Sequence, residues 1–204
     1  LNDYKSKIIS LNLKSKPIFD INDKFKYTND WRGQYTGDAI AILKPQDKTE
    51  ISKIFKFAND NQISIVPQGG NTSLCGGATP LKNSLSIIIS TEKMNKILSI
   101  DKQSMSITVE PGVILSIIHD EVEKNGLFFP LSLGAKGSCT IGGNLSTNAG
   151  GINVLKYGNT RELCLGLEIV LPNGDIMNML KILKKDNTGY DLKNLFIGAE
   201  GTLG

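Results

Sequence analysis

Two glycine-rich segments carry the residue types best suited to bind an anion. They read VPQGGNTSLCGG at Val66–Gly77 and LGAKGSCTIGGNLSTNAGG at Leu133–Gly151. Glycine permits positive φ and has no Cβ to keep a ligand away, so such loops expose backbone N–H groups to phosphate oxygens. The interleaved Asn, Thr and Ser side chains add neutral donors. Two such segments in one chain favour a large phosphorylated cofactor that is bound at two places.

A predicted β-α-β unit positions the first segment. Ala39–Leu43 reads as a short apolar strand closed by Pro45, and Asp47 with Glu50 three residues later has the spacing of a capping box. A helical face then follows with apolar residues at i, i+3, i+4 and i+7, namely Ile51, Ile54, Phe55 and Ala58.

The next strand is predicted at Ile63–Val66, ended by Pro67, with the polar glycine loop at its carboxyl end. Open α/β sheets hold ligands at that end of their strands. The backbone N–H groups from Gly69 to Leu74 are therefore placed to donate to an anionic group of a ligand. The loop has neither the GxGxxG spacing nor a GK[ST] ending, which disfavours a classical NAD fold and an NTPase.

The remaining pattern predicts an α+β protein. A helix over Val113–Asn125 is ended by Gly126, and its inward residues are Ile114, Ile117, Ile118 and Val122. Pro172-Asn173-Gly174-Asp175 contains the Asn-Gly pair typical of a hairpin turn. The predicted strands are Leu85–Ile89, Ile97–Ile100, Met105–Val109, Leu163–Leu171 and Ile176–Leu180.

Composition bounds the class of protein. The chain has 204 residues with 40% hydrophobic content, enough for one domain or two small lobes. Its apolar runs are too short for a transmembrane span, and its start does not read as a signal peptide. Cys75, Cys139 and Cys164 lack CxxC or metal spacing, so we expect free, mostly buried thiols and a cytoplasmic location.

The charge pattern argues against nucleic-acid binding. The net charge is +3, and only Arg32 and Arg161 among the 23 basic residues are arginine, the residue that reads phosphates and base edges best. No basic run or interleaved aromatic stretch is present. The lysines are expected to form a solvated surface.

At this point the motifs resemble those of a known family. The first loop is similar to the P-x-G-G-N-[TG] loop of flavoproteins of the vanillyl-alcohol-oxidase type, which wraps the FAD pyrophosphate. The second segment, with RELCLGLEIVLPNGD and KKDNTGYDLKNLFIGAEGTLG, resembles the branch of D-2-hydroxyglutarate dehydrogenase, the glycolate oxidase flavoprotein subunit and D-lactate dehydrogenases. The resemblance begins near Asn29 and runs to Gly204. Ser132 departs from it, since relatives often carry Asp there.

The resemblance implies a two-lobed, PCMH-type FAD-binding domain. One lobe is a small parallel sheet with β-α-β connection, the other a larger, mainly antiparallel sheet with helices, and FAD lies in the cleft between them. We expect an N-terminal segment over residues 1–34 and the FAD-binding domain over 35–204, with the lobes at about 35–92 and 93–204.

The resemblance also assigns cofactor-binding residues. FAD is expected to be preferred over FMN, because the loops suit a diphosphate and an adenosine arm as well as the ring. In the first segment the assigned residues are Pro67, Gln68, Gly69, Gly70, Asn71, Thr72, Ser73 and Leu74. In the second segment and near the chain's last residues they are Leu133, Gly134, Ala135, Gly137, Ser138, Ile141, Gly142, Gly143, Asn144, Thr147, Asn148, Gly150, Gly151, Glu200 and Gly201.

Attachment of the flavin is expected to be noncovalent. Many relatives carry a histidine in the first loop, whereas the single histidine here is His119, on the flank of the predicted helix, where a structural role is expected. Cys139 is the residue to watch, because some covalent relatives use a cysteine near the ring. No residue is assigned as catalytic and none as a metal ligand.

In the resembling enzymes a second domain supplies the histidine base, the metal and the carboxylate-binding residues. We expect that substrate domain to be absent from this chain, which ends within the GAEGTLG motif, and to be encoded separately or deleted. The expected function is FAD-linked oxidation of a D-2-hydroxy acid to a 2-oxo acid by hydride transfer to flavin. The alternatives are an inactive flavin-binding module from a split or truncated gene, a flavin reductase of the same cofactor fold that uses NADPH, and a scaffold whose glycine loops are only turns.

Overall fold

A three-stranded parallel sheet forms the centre of the first half of the chain in the computed structural model, which describes residues 2–204. Its elements are β1 (Ala41–Leu43), α3 (Lys48–Asp60), β2 (Ser64–Gln68) and β3 (Ser86–Ser90). The strand order is β1-β3-β2, and β3 pairs in parallel with both neighbours. Every residue of β3 is buried. The parallel β-α-β arrangement is thus confirmed, with β3 inserted between the two strands that α3 connects.

Helix α3 begins where the sequence predicts. The Asp47 side chain accepts a hydrogen bond from the Glu50 N–H at 2.9 Å, as an N-cap should. Glu50 does not return this bond to Asp47, since its carboxylate accepts from the Gln46 N–H at 2.7 Å and the Lys14 N–H at 2.5 Å. The predicted apolar face is confirmed, with Ile51 partly buried and the other members buried, Ile54, Phe55 and Ala58.

The residues before the sheet are built into it. Two helices, α1 (Asn2–Ser10) and α2 (Ile21–Thr28), precede β1. Ile8 of α1 is 0% exposed and packs in the same core cluster as the sheet. Ile18 exchanges two 3.0 Å backbone hydrogen bonds with Ile42 of β1. This bridge covers the outer edge of β1, which is otherwise open to pairing.

Pro67 does not end β2, contrary to the sequence prediction. The strand runs through Pro67 to Gln68, with Pro67 opposite Ile89. An edge strand tolerates proline because an N–H that faces away from the neighbouring strand donates no ladder bond. The glycine loop therefore starts at Gly69, two residues beyond the proline.

The chain divides into two units. The first comprises the residues up to Met94 and Val170–Ile176, and the second comprises Asn95–Ile169 and Met177–Gly204. In the second, β4 (Ile97–Asp101) and β5 (Ser106–Val109) pair antiparallel.

Helix α4 (Leu115–Lys124) follows, with Leu115, Ile118 and Val122 buried. Ile117 is 47% exposed, so its predicted inward position is wrong, and Leu115 completes the face instead. Gly126 ends the helix at φ +73°, as predicted.

The rest of the second unit contains short helices and a hairpin. The predicted strand at Leu163–Leu171 is shorter than expected, because a helical turn occupies its beginning and pairing starts at Leu167. The elements are α5 (Ile141–Ser146), α6 (Val154–Tyr157), α7 (Thr160–Leu163), β6 (Leu167–Val170), β7 (Ile176–Met179) and α8 (Lys193–Phe196).

The predicted hairpin turn between β6 and β7 is confirmed. The Leu171 N–H donates to the Asp175 carbonyl at 2.8 Å, and the Gly174 N–H donates to the Leu171 carbonyl at 2.7 Å. Gly174 has φ +85°, a left-handed conformation that glycine adopts without a steric cost. The Gly174 carbonyl accepts from the Ser52 hydroxyl of α3 at 2.6 Å.

The α+β class is confirmed, because the chain contains helices, a three-stranded parallel sheet and the two-stranded sheets β4-β5 and β6-β7. Within residues 2–204, no helix has the length and apolar character that a bilayer crossing requires.

Candidate functional site

The first glycine segment offers a row of unpaired backbone donors. It follows β2 at the carboxyl end of the parallel sheet. Among the described residues, no backbone N–H from Gly69 to Leu74 donates a hydrogen bond within the chain. Gly69–Ser73 are only partly exposed. Partly buried donors need a partner, and an anion supplies one.

Side chains within the segment fix its backbone. Gln68 is 3% exposed, and its Nε2 donates to the Tyr27 and Ala78 carbonyls, both at 2.8 Å. Asn71 Nδ2 donates to the Asn29 carbonyl at 2.8 Å. The side-chain amides of Gln68 and Asn71 are therefore engaged with backbone carbonyls of the protein and are not free to donate to a ligand.

Left-handed backbone in the first segment occurs at Asn71 and Gly76 rather than at the adjacent glycines Gly69 and Gly70. Asn71 has φ +51° and Gly76 has φ +73°, whereas neither Gly69 nor Gly70 has positive φ. Asparagine tolerates this region better than most residues. A Cβ on Gly76 would lie 2.7 Å from the Tyr35 ring, so this glycine is required for packing as well.

A turn before β1 lies beside the segment. The Trp31 Nε1–H donates to the Ser73 carbonyl at 3.2 Å, while the ring remains 62% exposed. Asp30 shapes this turn by accepting from the Tyr35 N–H at 2.6 Å and the Arg32 N–H at 3.2 Å. These backbone donors, that of Tyr35 above all, hold the pKa of Asp30 below its usual value.

A charged cluster follows the same strand ends, and sequence reasoning missed it. Lys44 comes directly after β1, and its Nζ lies 2.9 Å from a Glu92 oxygen. The other Glu92 oxygen accepts from the Tyr27 hydroxyl at 3.0 Å. Burial acts to raise the pKa of Glu92, but the bonds from Lys44 and Tyr27 outweigh it and lower the pKa. The bond to Glu92 raises the pKa of Lys44.

The second segment is more ordered than an open glycine loop. Its middle forms α5, so Gly142 and Gly143 are helical. A Cβ on Gly142 would lie 2.7 Å from the Pro111 Cβ, and a Cβ on Gly151 would lie 2.1 Å from the Ser132 carbonyl oxygen. These two glycines are needed because backbone approaches them closely.

Polar groups within α5 and on either side of it nevertheless lack partners among the described residues. Thr140 and Asn144 are 6% and 4% exposed, and neither Thr140 Oγ1 nor Asn144 Oδ1 has a hydrogen-bond partner in the described chain. The backbone N–H groups of Gly150 and Gly151 also donate to no atom of residues 2–204. A buried polar atom without a partner is costly, so a ligand that pairs with these atoms gains affinity.

The sequence-assigned residues of the second unit are brought together only in part. Thr147 and Asn148 follow α5, with the Thr147 hydroxyl donating to the Gly143 carbonyl at 3.0 Å and Asn148 left-handed at φ +46°. Glu200 lies near them, since its N–H donates to the Ser146 carbonyl at 2.9 Å. An earlier turn, held by the Lys136 and Ser138 N–H groups, contains Leu133, Gly134, Ala135, Gly137 and Ser138.

Residues 39–180 match a family model described as an FAD binding domain. The chain belongs to this family. The expectation of FAD as the cofactor is thereby confirmed, on a match that covers more than half of the chain.

The chain is also similar to several enzymes named for D-2-hydroxy acids. A probable mitochondrial D-2-hydroxyglutarate dehydrogenase of Oryza sativa subsp. indica is 49% identical over 86% of the chain and 31% of its own length. The mitochondrial D-2-hydroxyglutarate dehydrogenase of Bos taurus is 47% identical over 86% of the chain and 32% of its length. A D-2-hydroxyglutarate–pyruvate transhydrogenase of Saccharomyces cerevisiae is 44% identical over 87% of the chain and 36% of its own length. The chain spans about a third of these relatives.

Solved structures share the fold of this FAD-binding domain. An alkyldihydroxyacetonephosphate synthase matches with a TM-score of 0.85 and 22% identity, over 100% of the chain and 37% of its own. The 6-hydroxy-D-nicotine oxidase of Arthrobacter nicotinovorans matches with a TM-score of 0.75 and 23% identity, over 94% of the chain and 40% of its own.

The residues present fit FAD. A diphosphate accepts hydrogen bonds only, which suits the unpaired N–H groups of Gly69–Leu74. The orphaned Thr140 and Asn144 oxygens accept from N–H or hydroxyl groups, which the flavin ring and the sugar chain carry. The described residues contain no group of three or more His, Cys, Asp or Glu side chains able to hold a metal ion.

Two of the three thiols and the histidine are placed for structure rather than chemistry, whereas Cys75 is exposed, contrary to the expected burial. Cys139 is 4% exposed, and burial raises the pKa of its thiol despite an opposing contribution from Asn144. A protonated thiol is a poor nucleophile. Burial likewise raises the pKa of the Cys164 thiol. His119 Nε2 lies 2.8 Å from the Leu131 carbonyl oxygen, which supports the expected structural role.

Proposed function

We propose that this chain is the cofactor domain of a flavoenzyme that oxidises D-2-hydroxy acids. The observation that carries the proposal is the family match together with the names of relatives 44–49% identical to the chain. When bound, FAD supplies a two-electron acceptor for the hydride on C2 of such an acid. The chain's own contribution is to bind and orient the cofactor.

In this proposal the first segment binds the diphosphate of FAD. The N–H groups of Gly69–Leu74 donate to phosphate oxygens, while Gln68 and Asn71 hold the backbone in position. In the second unit, Thr140, Asn144 and the N–H groups of Gly150 and Gly151 pair with other polar groups of the cofactor.

Reconstitution with FAD and with FMN tests the cofactor assignment. We expect tighter binding of FAD, because the first segment has donors for a diphosphate that FMN lacks. Acid denaturation is expected to release free flavin into solution. Equal affinities would contradict the diphosphate assignment, and a yellow precipitate would contradict noncovalent binding and direct attention to Cys139.

The variant Gly70→Val tests whether the first segment contacts the ligand. The added side chain occupies space beside the N–H row, so FAD affinity is expected to fall far more than apo-protein stability. A thermal melt without flavin separates the two effects. An unfolded apo-variant would mean that Gly70 is needed for the backbone and not for the ligand.

Turnover tests the division of labour with a substrate domain. Among the described residues there is no second histidine and no cluster of metal-binding side chains. We expect the FAD-loaded chain alone to oxidise D-2-hydroxyglutarate and D-lactate negligibly with an artificial electron acceptor, since a positioned base typically contributes about 10²–10⁴-fold. Turnover of about 1–10³ per second would place catalytic residues within this chain.

The cellular compartment is also part of the proposal. Cys75, Cys139 and Cys164 are free thiols, which suits a reducing compartment, and we propose the cytoplasm. Several relatives are named as mitochondrial. Fractionation of cells that make the native gene product distinguishes the two locations, and recovery with mitochondria would refute the cytoplasmic one.

A further inference from the structure

Arg161 of α7 binds the end of the last helix, α8, with both terminal nitrogens of its guanidinium group. Nη1 donates to the Asn194 carbonyl and Nη2 donates to the Ile197 carbonyl. Asn194 lies in α8 and Ile197 is its C-cap. Carbonyl groups at a helix C-terminus lack helical partners and carry partial negative charge. The side chain is half-buried, and charge-assisted bonds of this kind are stronger than neutral ones.

The same residue also holds the end of the second glycine segment. The backbone N–H of Arg161 donates to Asn148 Oδ1 at 3.0 Å. Asn148 is left-handed, with φ +46°, and lies two residues before Gly150. A Cβ on Gly198 would lie 3.2 Å from Arg161 Nη2 and 3.4 Å from the Asn148 Cβ. Arg161, Asn148 and Gly198 therefore meet at one point.

Two further bonds close this arrangement. The Gly198 N–H donates to the Leu145 carbonyl at 3.0 Å, and the Glu200 N–H donates to the Ser146 carbonyl at 2.9 Å. Leu145 and Ser146 form the last turn of α5. The segment that follows α8 is thus hydrogen-bonded to the end of α5, and Thr147–Gly151 comes directly after α5 in the chain.

We propose that Arg161 is a positioning residue for FAD. It holds the Gly198–Glu200 backbone against the end of α5 and so fixes the Gly150 and Gly151 donors without touching the cofactor itself. The proposal rests on the function proposed above. A lysine has a single ammonium group and cannot reproduce the planar fork that spans two carbonyls.

The test compares Arg161→Gln and Arg161→Lys with Arg32→Lys, a matched change at the only other arginine, whose side chain is exposed. FAD dissociation constants are measured by flavin fluorescence on the full chain. Hydrogen exchange of the apo-proteins reports the Gly198 and Glu200 amides. We expect at least a tenfold rise in dissociation constant for Arg161→Gln, a smaller rise for Arg161→Lys and less than a twofold change for Arg32→Lys.

Exchange at Gly198 and Glu200 is expected to accelerate in Arg161→Gln while β3 amides stay protected. Millimolar guanidinium ion is expected to restore part of the affinity of Arg161→Gln, which a general loss of stability would not allow. Unchanged FAD affinity with faster exchange would overturn the proposal. So would equal losses in the Lys and Gln variants without guanidinium rescue. Failure of the unmodified chain to bind FAD would instead refute the proposed function itself, and the positioning role with it.

Discussion

Asn71 is the residue at which conformation and ligand binding can be separated most sharply. It has φ +51°, and its Nδ2 donates to the Asn29 carbonyl at 2.8 Å. Asn71→Ala removes the bond, worth about 0.5–1.5 kcal/mol. It also leaves a residue with a Cβ in the left-handed region, at roughly 1–2 kcal/mol. Asn71→Gly removes the same bond but adopts that conformation freely.

The two variants therefore differ in one quantity. The combined cost of Asn71→Ala is about 1.5–3.5 kcal/mol, a factor of roughly 12–320 at 1.4 kcal/mol per tenfold. Asn71→Gly costs about 0.5–1.5 kcal/mol, a factor of roughly 2–12. We expect this ranking in the FAD dissociation constant, because Asn71 lies within the row of unpaired N–H groups.

The assay is a flavin fluorescence titration of both variants, together with thermal melts of the apo-proteins. Any cost that appears in the apo-protein melt is subtracted from the loss expected in binding. Equal effects of Ala and Gly on both measurements would refute the reasoning, since the left-handed backbone would then not be the contribution of Asn71. A larger effect of Gly than of Ala would refute it more strongly.

Three further predictions concern stability. Gly151→Ala places a Cβ 2.1 Å from the Ser132 oxygen and should cost about 1–3 kcal/mol in apo-protein melts, whereas Gly134→Ala, with no atom within 4 Å, should cost little. Ile8→Ala removes a fully buried side chain and should lower the free energy of unfolding by about 2–5 kcal/mol in urea titrations. Glu92→Gln should lower the free energy of unfolding, and the difference from the unmodified protein should be largest above pH 4.5. That difference should shrink as the pH falls through the lowered pKa of Glu92, and a constant difference would contradict it.

Elements with a strong local signal were predicted correctly. The period of α3 and its Asp47 cap gave a helix close to the observed one, and the Asn-Gly turn gave the hairpin. The errors have physical causes beyond the local pattern. Pro67 continues β2 because the strand lies at an edge, a fact set by the position of β3. Ile117 is exposed because Leu115 fills the core position.

The two glycine segments of the candidate site were predicted from the sequence. The residues that support these segments were not predicted. No local pattern marks the contact of Lys44 with Glu92, because 48 positions separate them and a tertiary fold brings them together. The same holds for Arg161 and Ile197, 36 positions apart. Glycine content marked both segments, but it did not distinguish the glycines required by close backbone contacts, such as Gly151, from those in open space, such as Gly134.

The inclusion of Val170–Ile176 in the first unit has a consequence for how the protein is made. Val170 belongs to the core cluster around the parallel sheet, and Gly174 accepts the Ser52 hydroxyl bond. A ribosome releases Asn95–Ile169 before these residues, so most of the second unit is synthesised while the core of the first is still incomplete. Contacts that close such long stretches of chain form slowly. The first unit, although its sheet is encoded earliest, is the one that must wait for the chain to return before its folding can finish.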